Sequence, residues 1–249
     1  MAVFNSFIFD GINSLESGIY ITGQAVYNAP ERSVEMVSVP GKNGDIAIDR
    51  GRFENIEVTY PAGAFAAEQA EFGAKIARIR NILASRYTYK RLEDTYNPDE
   101  YRLALYKSGL DVDPAALSSA GEFEITFNCK PQRYLKSGDE EEAFTAAGTI
   151  ENPTDFTSKP LLLVTGYGQL TIGQQTFSIA EGAQGASQQI YIDCDSQEAW
   201  EYVGTYKQSR NDYIQNAGQT FPELAAGIND VIPGANISRI KIIPRWWRI

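Results

Sequence analysis

Apolar and polar residues alternate with a period of two along much of the chain. Such alternation places every second side chain on one face of a β-strand, so that one face is buried and the other is wet. The clearest examples are Ile56–Tyr60, Glu122–Phe127, Ile190–Asp195 and Arg239–Ile242. The pattern predicts a mainly β protein.

One segment has the period of a helix instead. Within residues 66–86, Phe72, Ile76, Ile79 and Leu83 recur at spacings of four, three and four. At ~100° per residue these four side chains form a stripe about 60° wide. The sequence therefore predicts one amphipathic helix that packs this stripe on a sheet.

A charged run marks the expected boundary between two domains. Pro131 follows a predicted strand, and four carboxylates, Asp139–Glu142, come shortly after it. Adjacent like charges repel each other and favour an extended chain, as a linker requires. We expect a first domain at residues 1–135, an acidic linker at 136–148 and a second domain, a small β-sandwich, at 149–249.

The composition limits the available chemistry. The chain contains no histidine, which removes imidazole acid–base catalysis, histidine-activated nucleophiles and histidine-containing zinc sites. A formal net charge of −10 disfavours attraction to nucleic acid or to an anionic membrane. The start of the chain lacks the pattern of a signal peptide, and no apolar run approaches the ~20 residues that cross a bilayer. We expect a soluble protein made in the cytoplasm.

The two cysteines, Cys129 and Cys194, fall one in each half of the chain. Two lone thiols are typical of small buried hydrophobes in a reducing compartment. The sequence leaves a disulfide between them open.

A glycine-rich loop lies in the first half, at Pro40-Gly41-Lys42-Asn43-Gly44-Asp45. A phosphate-binding P-loop needs Gly-x-x-x-x-Gly-Lys-Ser/Thr between a strand and a helix. Here the spacing differs, no Ser or Thr follows the lysine, and the next element is a predicted strand. Asn-Gly between strands favours a hairpin turn, because both residues tolerate a positive φ.

Three other patterns invite a test for ligand chemistry. Asp111, Asp113 and Glu122 have some of the spacing of a calcium loop, but Ala116 stands where the loop needs glycine. The carboxylate pairs Asp193/Asp195 and Glu122/Glu124 have the residue types that a glycosidase uses, although neighbours on the wet face of a strand give the same spacing. Trp200, Trp246 and Trp247 are candidates for stacking on sugar rings, with burial in the core as the alternative.

Read from end to end, the chain resembles the distal tail (Dit) proteins of long, flexible-tailed bacteriophages. The resemblance is carried by ordered segments that cover nearly the whole sequence. In the first half these are Phe7–Gly11, Gly18–Gly23, Tyr27–Arg32, Ser38–Asp49, Gly51–Tyr60, Asp94–Pro98, Tyr101-Arg102 and Gly121–Arg133, and in the second half Asn152–Thr154, Ser158–Pro160 and Ile243–Trp247.

The resemblance implies a fold and an assembly. The first domain would be a small β-barrel or sandwich with a flanking helix at about 66–86 and a protruding hairpin at about 33–60. The second would be a galectin-like or carbohydrate-binding-module-like β-sandwich. Six copies would form a ring whose hairpins, with Pro40–Asp45 at the turn, reach neighbouring subunits.

The resemblance also implies partners and a location. The ring would sit at the virion tail tip, after assembly in the bacterial host cytoplasm. It would join the tail tube protein to a tail-associated hub or fibre protein, and baseplate or receptor-binding proteins would dock on the second domain. DNA would pass through the lumen without specific binding. The family has no catalytic residue, metal or cofactor to carry over, so we expect a protein that is not an enzyme.

Two other functions compete with this structural role. A carbohydrate-binding module would adhere to host cell-wall glycans through Trp200 or the Trp246–Trp247 pair. A carboxylate-driven glycosidase would need an acid/base pair across a cleft, and the sequence offers no convincing one.

Overall fold

The structure of the 249-residue chain is a computed structural model. It describes residues 4–23, 27–110, 112–114, 120–182, 189–215 and 221–249. The chain forms two compact units, Met1–Arg133 with Ile249, and Tyr134–Arg248. Both units consist mainly of strands, and the described residues contain one α-helix, α1 (Gln69–Ala84). The predicted mainly β class is therefore confirmed.

The first unit is built around one antiparallel sheet and a separate hairpin. Its strands are β1 (Phe7–Phe9), β2 (Ile12–Asn13), β3 (Ile19–Ile21), β4 (Arg32–Val37), β5 (Ile46–Phe53), β6 (Ile56–Phe65), β7 (Lys90–Asp94), β8 (Glu100–Tyr106), β9 (Val112–Pro114) and β10 (Ala120–Leu135). In the sheet they follow the order β2-β1-β7-β8-β10-β6-β3, and β9 also pairs with β10. Strands β4 and β5 pair with each other in a sheet of two.

One hydrophobic core joins the sheet of the first unit to α1. The alternating residues of β6 and β10 point into it, including Val58, Ile125 and Phe127. The helix buries the stripe that its period predicts, Phe72, Ile76, Ile79 and Leu83. Complete burial of one such side chain contributes roughly 1.5–3 kcal/mol. This packing fixes the helix on one face of the sheet.

The hairpin is shorter than the sequence predicts. The resemblance implies a hairpin at about 33–60, but the hairpin ends at Phe53, and Ile56–Phe65 is a strand of the main sheet. The physical reason is the buried face of that strand. Ile56, Val58 and Tyr60 enter the core, and only pairing with β10 keeps all three there.

The second unit is a β-sandwich. Its strands are β11 (Glu142–Phe144), β12 (Gly148–Asn152), β13 (Leu161–Gly166), β14 (Gly168–Ile172), β15 (Gln175–Ile179), β16 (Gln189–Asp193), β17 (Glu198–Val203), β18 (Tyr206–Ser209), β19 (Ile214–Gln215), β20 (Gly227–Pro233) and β21 (Ile237–Ile243). A short strand near the end of the chain, β22 (Trp247–Arg248), pairs with β10 and belongs to neither sheet of the sandwich. One sheet has the order β11-β21-β13-β16-β17-β18 and the other β12-β20-β14-β15-β19. Both sheets contribute to one core, for example Leu162 and Ile240 from the first and Leu170 and Val231 from the second.

The expected acidic linker at 136–148 is instead folded into the second unit. Lys136–Asp139 is a 3-10 turn, and β11 pairs with β21. Phe144 packs against the core, and Lys241 lies 2.7 Å from Glu141. The apolar contact and this cation oppose the repulsion of the carboxylate run, on which the linker prediction rested.

In the part of the chain that the structure describes, no helix is both long and apolar enough to cross a bilayer.

Candidate assembly surfaces

The turn residues predicted from the sequence lie together at the tip of the β4–β5 hairpin. Residues 40–45 are all exposed, and the amide of Lys42 donates to the carbonyl of Val39 at 3.1 Å. Gly41 has φ +79° and Gly44 has φ +80°, in the left-handed region where a side chain is strained. The two glycines therefore set the shape of the tip, and Lys42 lies between them.

Both faces of this hairpin carry exposed apolar side chains. Val34 and Met36 share one face by the two-residue period, while Ile46 and Ile48 share the other. Met36 is 60% exposed, and the other three are 40–44% exposed. A hairpin of two strands is only marginally stable by itself in water. Apolar residues exposed on both of its faces make this hairpin a candidate interaction surface.

The charged residues of the hairpin strands pair across it. Arg32 pairs with Asp49 and Arg50 pairs with Glu35. Hydrogen bonds from the Arg32 guanidinium and the Gly51 amide lower the pKa of the Asp49 carboxyl. These exposed ion pairs stabilise the hairpin weakly, but they hold β4 and β5 in register. They also give Arg32 and Arg50 carboxylate partners within the hairpin itself.

The carboxylate pair Glu122/Glu124 lies on an open strand face. Both side chains are exposed on β10 and alternate with buried Phe123 and Ile125. A glycosidase needs two carboxyl groups facing each other across a cleft. Two residues on one face of one strand do not provide that arrangement.

The second carboxylate pair, Asp193/Asp195, is held in ion pairs. Arg245 donates two hydrogen bonds to the Asp193 carboxylate, at 2.8 and 2.9 Å. Burial alone would raise the pKa of Asp193, but the hydrogen bonds and charge of Arg245 outweigh it and hold the pKa below its ordinary value. Asp195 lies 3.6 Å from Lys159 in an exposed turn. A general acid needs a raised pKa, so Asp193 is unsuited to that role.

Only some residues of the calcium-loop pattern belong to the described part of the chain. Asp111 and Ala116 lie outside the described residues, and the side chain of Asp113 does not belong to the described part either. Glu122 belongs to β10. Among the residues that the structure does describe, no group of three or more acidic or cysteine side chains could hold a metal ion.

The three tryptophans are engaged within the second unit. Trp200 is 8% exposed and stacks on Tyr191, with ring centroids 5.5 Å apart, while the Lys207 ammonium lies 3.7 Å from the centre of its ring. Trp246 is 3% exposed in the core. Trp247 stacks on Phe156 and donates from Nε1 to the Thr157 carbonyl at 3.0 Å. Trp200 and Trp246 are therefore buried, and Phe156 occupies one ring face of Trp247.

A buried polar cluster in the first unit is absent from the sequence predictions. It surrounds a cavity of about 20 Å³ lined by Tyr60, Asp94, Glu100, Arg102 and Arg133, among other residues. Burial, followed by the nearby charge of Arg133, lowers the pKa of Arg102. A cavity of this size holds about one water molecule, which excludes a nucleotide or a sugar.

One member of this cluster has a recognisable sequence signal. Asp94 accepts hydrogen bonds from the amides of Tyr96 and Asn97 and from the hydroxyl of Tyr60. An aspartate that hydrogen-bonds the backbone two residues ahead forms an Asx turn, which its type and spacing indicate in sequence. Arg102 and Arg133 come together at this cavity only through tertiary packing, and no local sequence pattern indicates it.

Comparison with protein families gives one match in the first unit. Residues 15–129 match the model described as phage tail protein RIFT-related domain. This span contains the β4–β5 hairpin and α1. No curated protein sequence matches the chain.

Solved structures share the fold over the whole chain. The crystal structure of the Dit protein of phage SPP1, described as a paradigm of the hub adsorption apparatus in phages infecting Gram-positive bacteria, has a TM-score of 0.71 at 12% identity. It covers 99% of this chain and 100% of its own. A chain of the phage P2 baseplate in its activated conformation with Ca has a TM-score of 0.57 at 10% identity, covering 97% of this chain and 98% of its own. A chain of the phage p2 baseplate with Sr gives 0.55 at 10% identity, with 99% of both chains covered.

Proposed function

We propose that the chain is a distal tail protein of a long, flexible-tailed phage and serves as a structural hub protein of the phage tail tip. Its match to a phage tail domain and its full-length likeness to a Dit structure support this proposal. Six copies form a closed ring between the tail tube and the tail-associated hub or fibre protein. DNA crosses the lumen of this ring on its way into the host. The protein is a component of the virion tail and catalyses no reaction.

The observation that carries this proposal is the β4–β5 hairpin. It exposes apolar side chains on both faces, including Met36 and Ile48, and two strands alone bury little of them. A contact between a hairpin on one copy and a different surface on the next copy is heterologous, and such contacts close into a ring when the rotation permits. The ring therefore removes the exposed apolar surface without producing an open fibre.

The second unit supplies a platform for other tail-tip proteins. Its sandwich has wet outer faces and edge strands such as β18, whose four residues are exposed. Unpaired strand edges invite pairing with another chain. We assign this unit to the attachment of baseplate or receptor-binding proteins instead of to sugar stacking, since Trp200 and Trp246 are buried.

The charge of the chain suits a conduit for DNA. A formal net charge of −10 repels phosphates instead of releasing their counterions. Asp and Glu should therefore outnumber Lys and Arg on the lumen wall. A ring structure with a basic lumen would contradict this part of the proposal.

Deletion of the hairpin tip tests the proposed assembly. Removal of residues 41–45 shortens an exposed turn that packs on neither core, so each unit should keep its circular dichroism spectrum and its thermal transition. The assembled species should be lost when molar mass is measured by light scattering after gel filtration. Normal assembly of this deletion variant would show that the hairpin does not join subunits.

A further inference from the structure

An exposed aromatic cluster lies at the β3 edge of the main sheet. Phe4, Tyr20 and Phe65 form it, with ring centroids 5.4 Å apart between the first two and 5.9 Å between the last two. Phe65 is 57% exposed and Phe4 is 49% exposed. Three adjacent rings in contact with water form an apolar patch rather than a scattered surface residue.

The same sheet face carries two carboxylates. Tyr20 and Glu122 are both paired opposite Gly63, one on β3 and the other on β10, so that these three residues form one row. Directly opposed residues in an antiparallel ladder share a face, and Glu124 lies on that face two residues further along β10. Across the described chain, neither glutamate forms an ion pair.

The shape of this face is built into the sheet. A Cβ added at Gly63 would lie 3.0 Å from the ring of Tyr20, so the absence of a side chain at residue 63 lets that ring lie over β6. The apolar stripe of α1 packs into the core on the opposite side of the sheet, and the Lys75 ammonium of α1, which pairs with Glu71, lies 5.9 Å from the centre of the Phe65 ring. The aromatic cluster and the two carboxylates, Glu122 and Glu124, therefore form an open surface that we term the acidic aromatic face.

The hairpin tip has complementary chemistry. The strand cations Arg32 and Arg50 are already paired with Asp49 and Glu35. Lys42 is the cation of the tip, and among the described residues it has no carboxylate partner. Ile46, the first residue of β5, is 41% exposed beside the tip. The tip thus presents one unmatched ammonium group next to apolar surface.

We propose that the hairpin tip of one copy docks on the acidic aromatic face of the next copy, with Lys42 between Glu122 and Glu124 and with Ile46 against the rings of Tyr20 and Phe65. This inference rests on the proposed ring and names the contact that closes it. The contact is heterologous, because it joins a hairpin tip on one copy to a sheet face on the next. Each added copy therefore leaves one tip and one face free for further copies until the ring closes. Opposite charges fix its register and suppress other pairings.

Charge exchange tests this contact. Lys42→Glu should raise the protein concentration at which half of the subunits are assembled by about tenfold or more, because it places like charges together in a partly desolvated contact. The double change Glu122→Lys with Glu124→Lys should weaken assembly in the same way. Combining all three changes should restore assembly, which mere damage to folding would not do.

Two variants at the tip serve as matched controls. Lys42→Arg keeps the positive charge and should assemble like the unchanged protein. Asp45→Asn removes the other charge of the same tip and should also assemble normally. All variants are full-length chains, compared by light scattering at matched concentrations and by circular dichroism.

The outcomes separate this contact from the ring itself. If the unchanged protein assembles and the triple variant recovers assembly that Lys42→Glu loses, the contact is supported. If the unchanged protein assembles but Lys42→Glu does so equally well, the contact is wrong and the ring stands. An unchanged protein that stays monomeric overturns both.

Discussion

Asp193 shows how one carboxylate ties distant segments of the second unit together. It accepts two hydrogen bonds from Arg245 and one from the amide of Asp195. Arg245 in turn has a positive φ of 57°, and its amide donates to the carbonyl of Gly138 at 2.8 Å. The ion pair therefore holds the chain end in a backbone conformation that a residue with a side chain rarely adopts.

Replacement of Asp193 by Asn should destabilise the second unit by about 2 kcal/mol at pH 7, because charge-assisted hydrogen bonds of this kind contribute about that much. The folded pKa of Asp193 is lowered, so its stabilisation is present above the ordinary aspartate value of about 3.9 and is lost as the pH falls through the lowered value. The gap in Tm between the two proteins should shrink from pH 7 to pH 3. Asp195→Asn, at an exposed ion pair, should change Tm little. A gap that persists unchanged at pH 3 would contradict the assignment.

The two cysteines should be unreactive in the folded protein. Both are free and buried, and burial raises the pKa of the Cys129 thiol to about 12 and that of Cys194 further above its ordinary value. Since the thiolate is the reactive form, a thiol reagent at pH 8 should modify neither residue until denaturant unfolds the units. Rapid stoichiometric modification of the native protein would show that the cores open more readily than this packing implies.

Helix α1 depends on its apolar stripe more than on its ends. Glu68, at the N-cap position, makes no side-chain capping hydrogen bond, while Ile79 and Leu83 are almost completely buried. Ile79→Ala should therefore lower the free energy of unfolding of the first unit by about 2–5 kcal/mol. Arg78→Ala, on the exposed face of the same helix, should change it by about 0.5 kcal/mol or less. Denaturant titration followed by circular dichroism measures both, and equal effects would mean that the stripe does not face the core.

At the element scale, the period of the apolar residues predicts the helix and strands correctly, whereas the run of charged residues predicts a linker wrongly. The stripe of α1 and the alternation in β6 and β10 depend only on which side chains are apolar, so the sequence predicted them directly. The carboxylate run at 139–142 predicted a linker because its partners, Lys241 and the strand β21, lie about one hundred residues further along the chain. The end of the hairpin at Phe53 likewise depends on the pairing of β6 with β10, which no local pattern reveals.

For the whole molecule, the turn chemistry of the tip was predictable and its surroundings were not. Asn43-Gly44 indicated a turn from residue type alone. Whether Trp200 was open to a sugar depended on Tyr191 and Lys207 from neighbouring strands. The acidic aromatic face combines β3, β6 and β10, so only the folded sheet brings its residues together.

Electron microscopy of the purified protein would show whether its subunits form a ring. We expect closed six-fold rings with an open centre and a mass six times the 27.6 kDa of one chain, and we expect these rings to disappear when residues 41–45 are deleted. Particles of single-chain size at the highest attainable concentration, or rings that survive the deletion, would contradict this expectation.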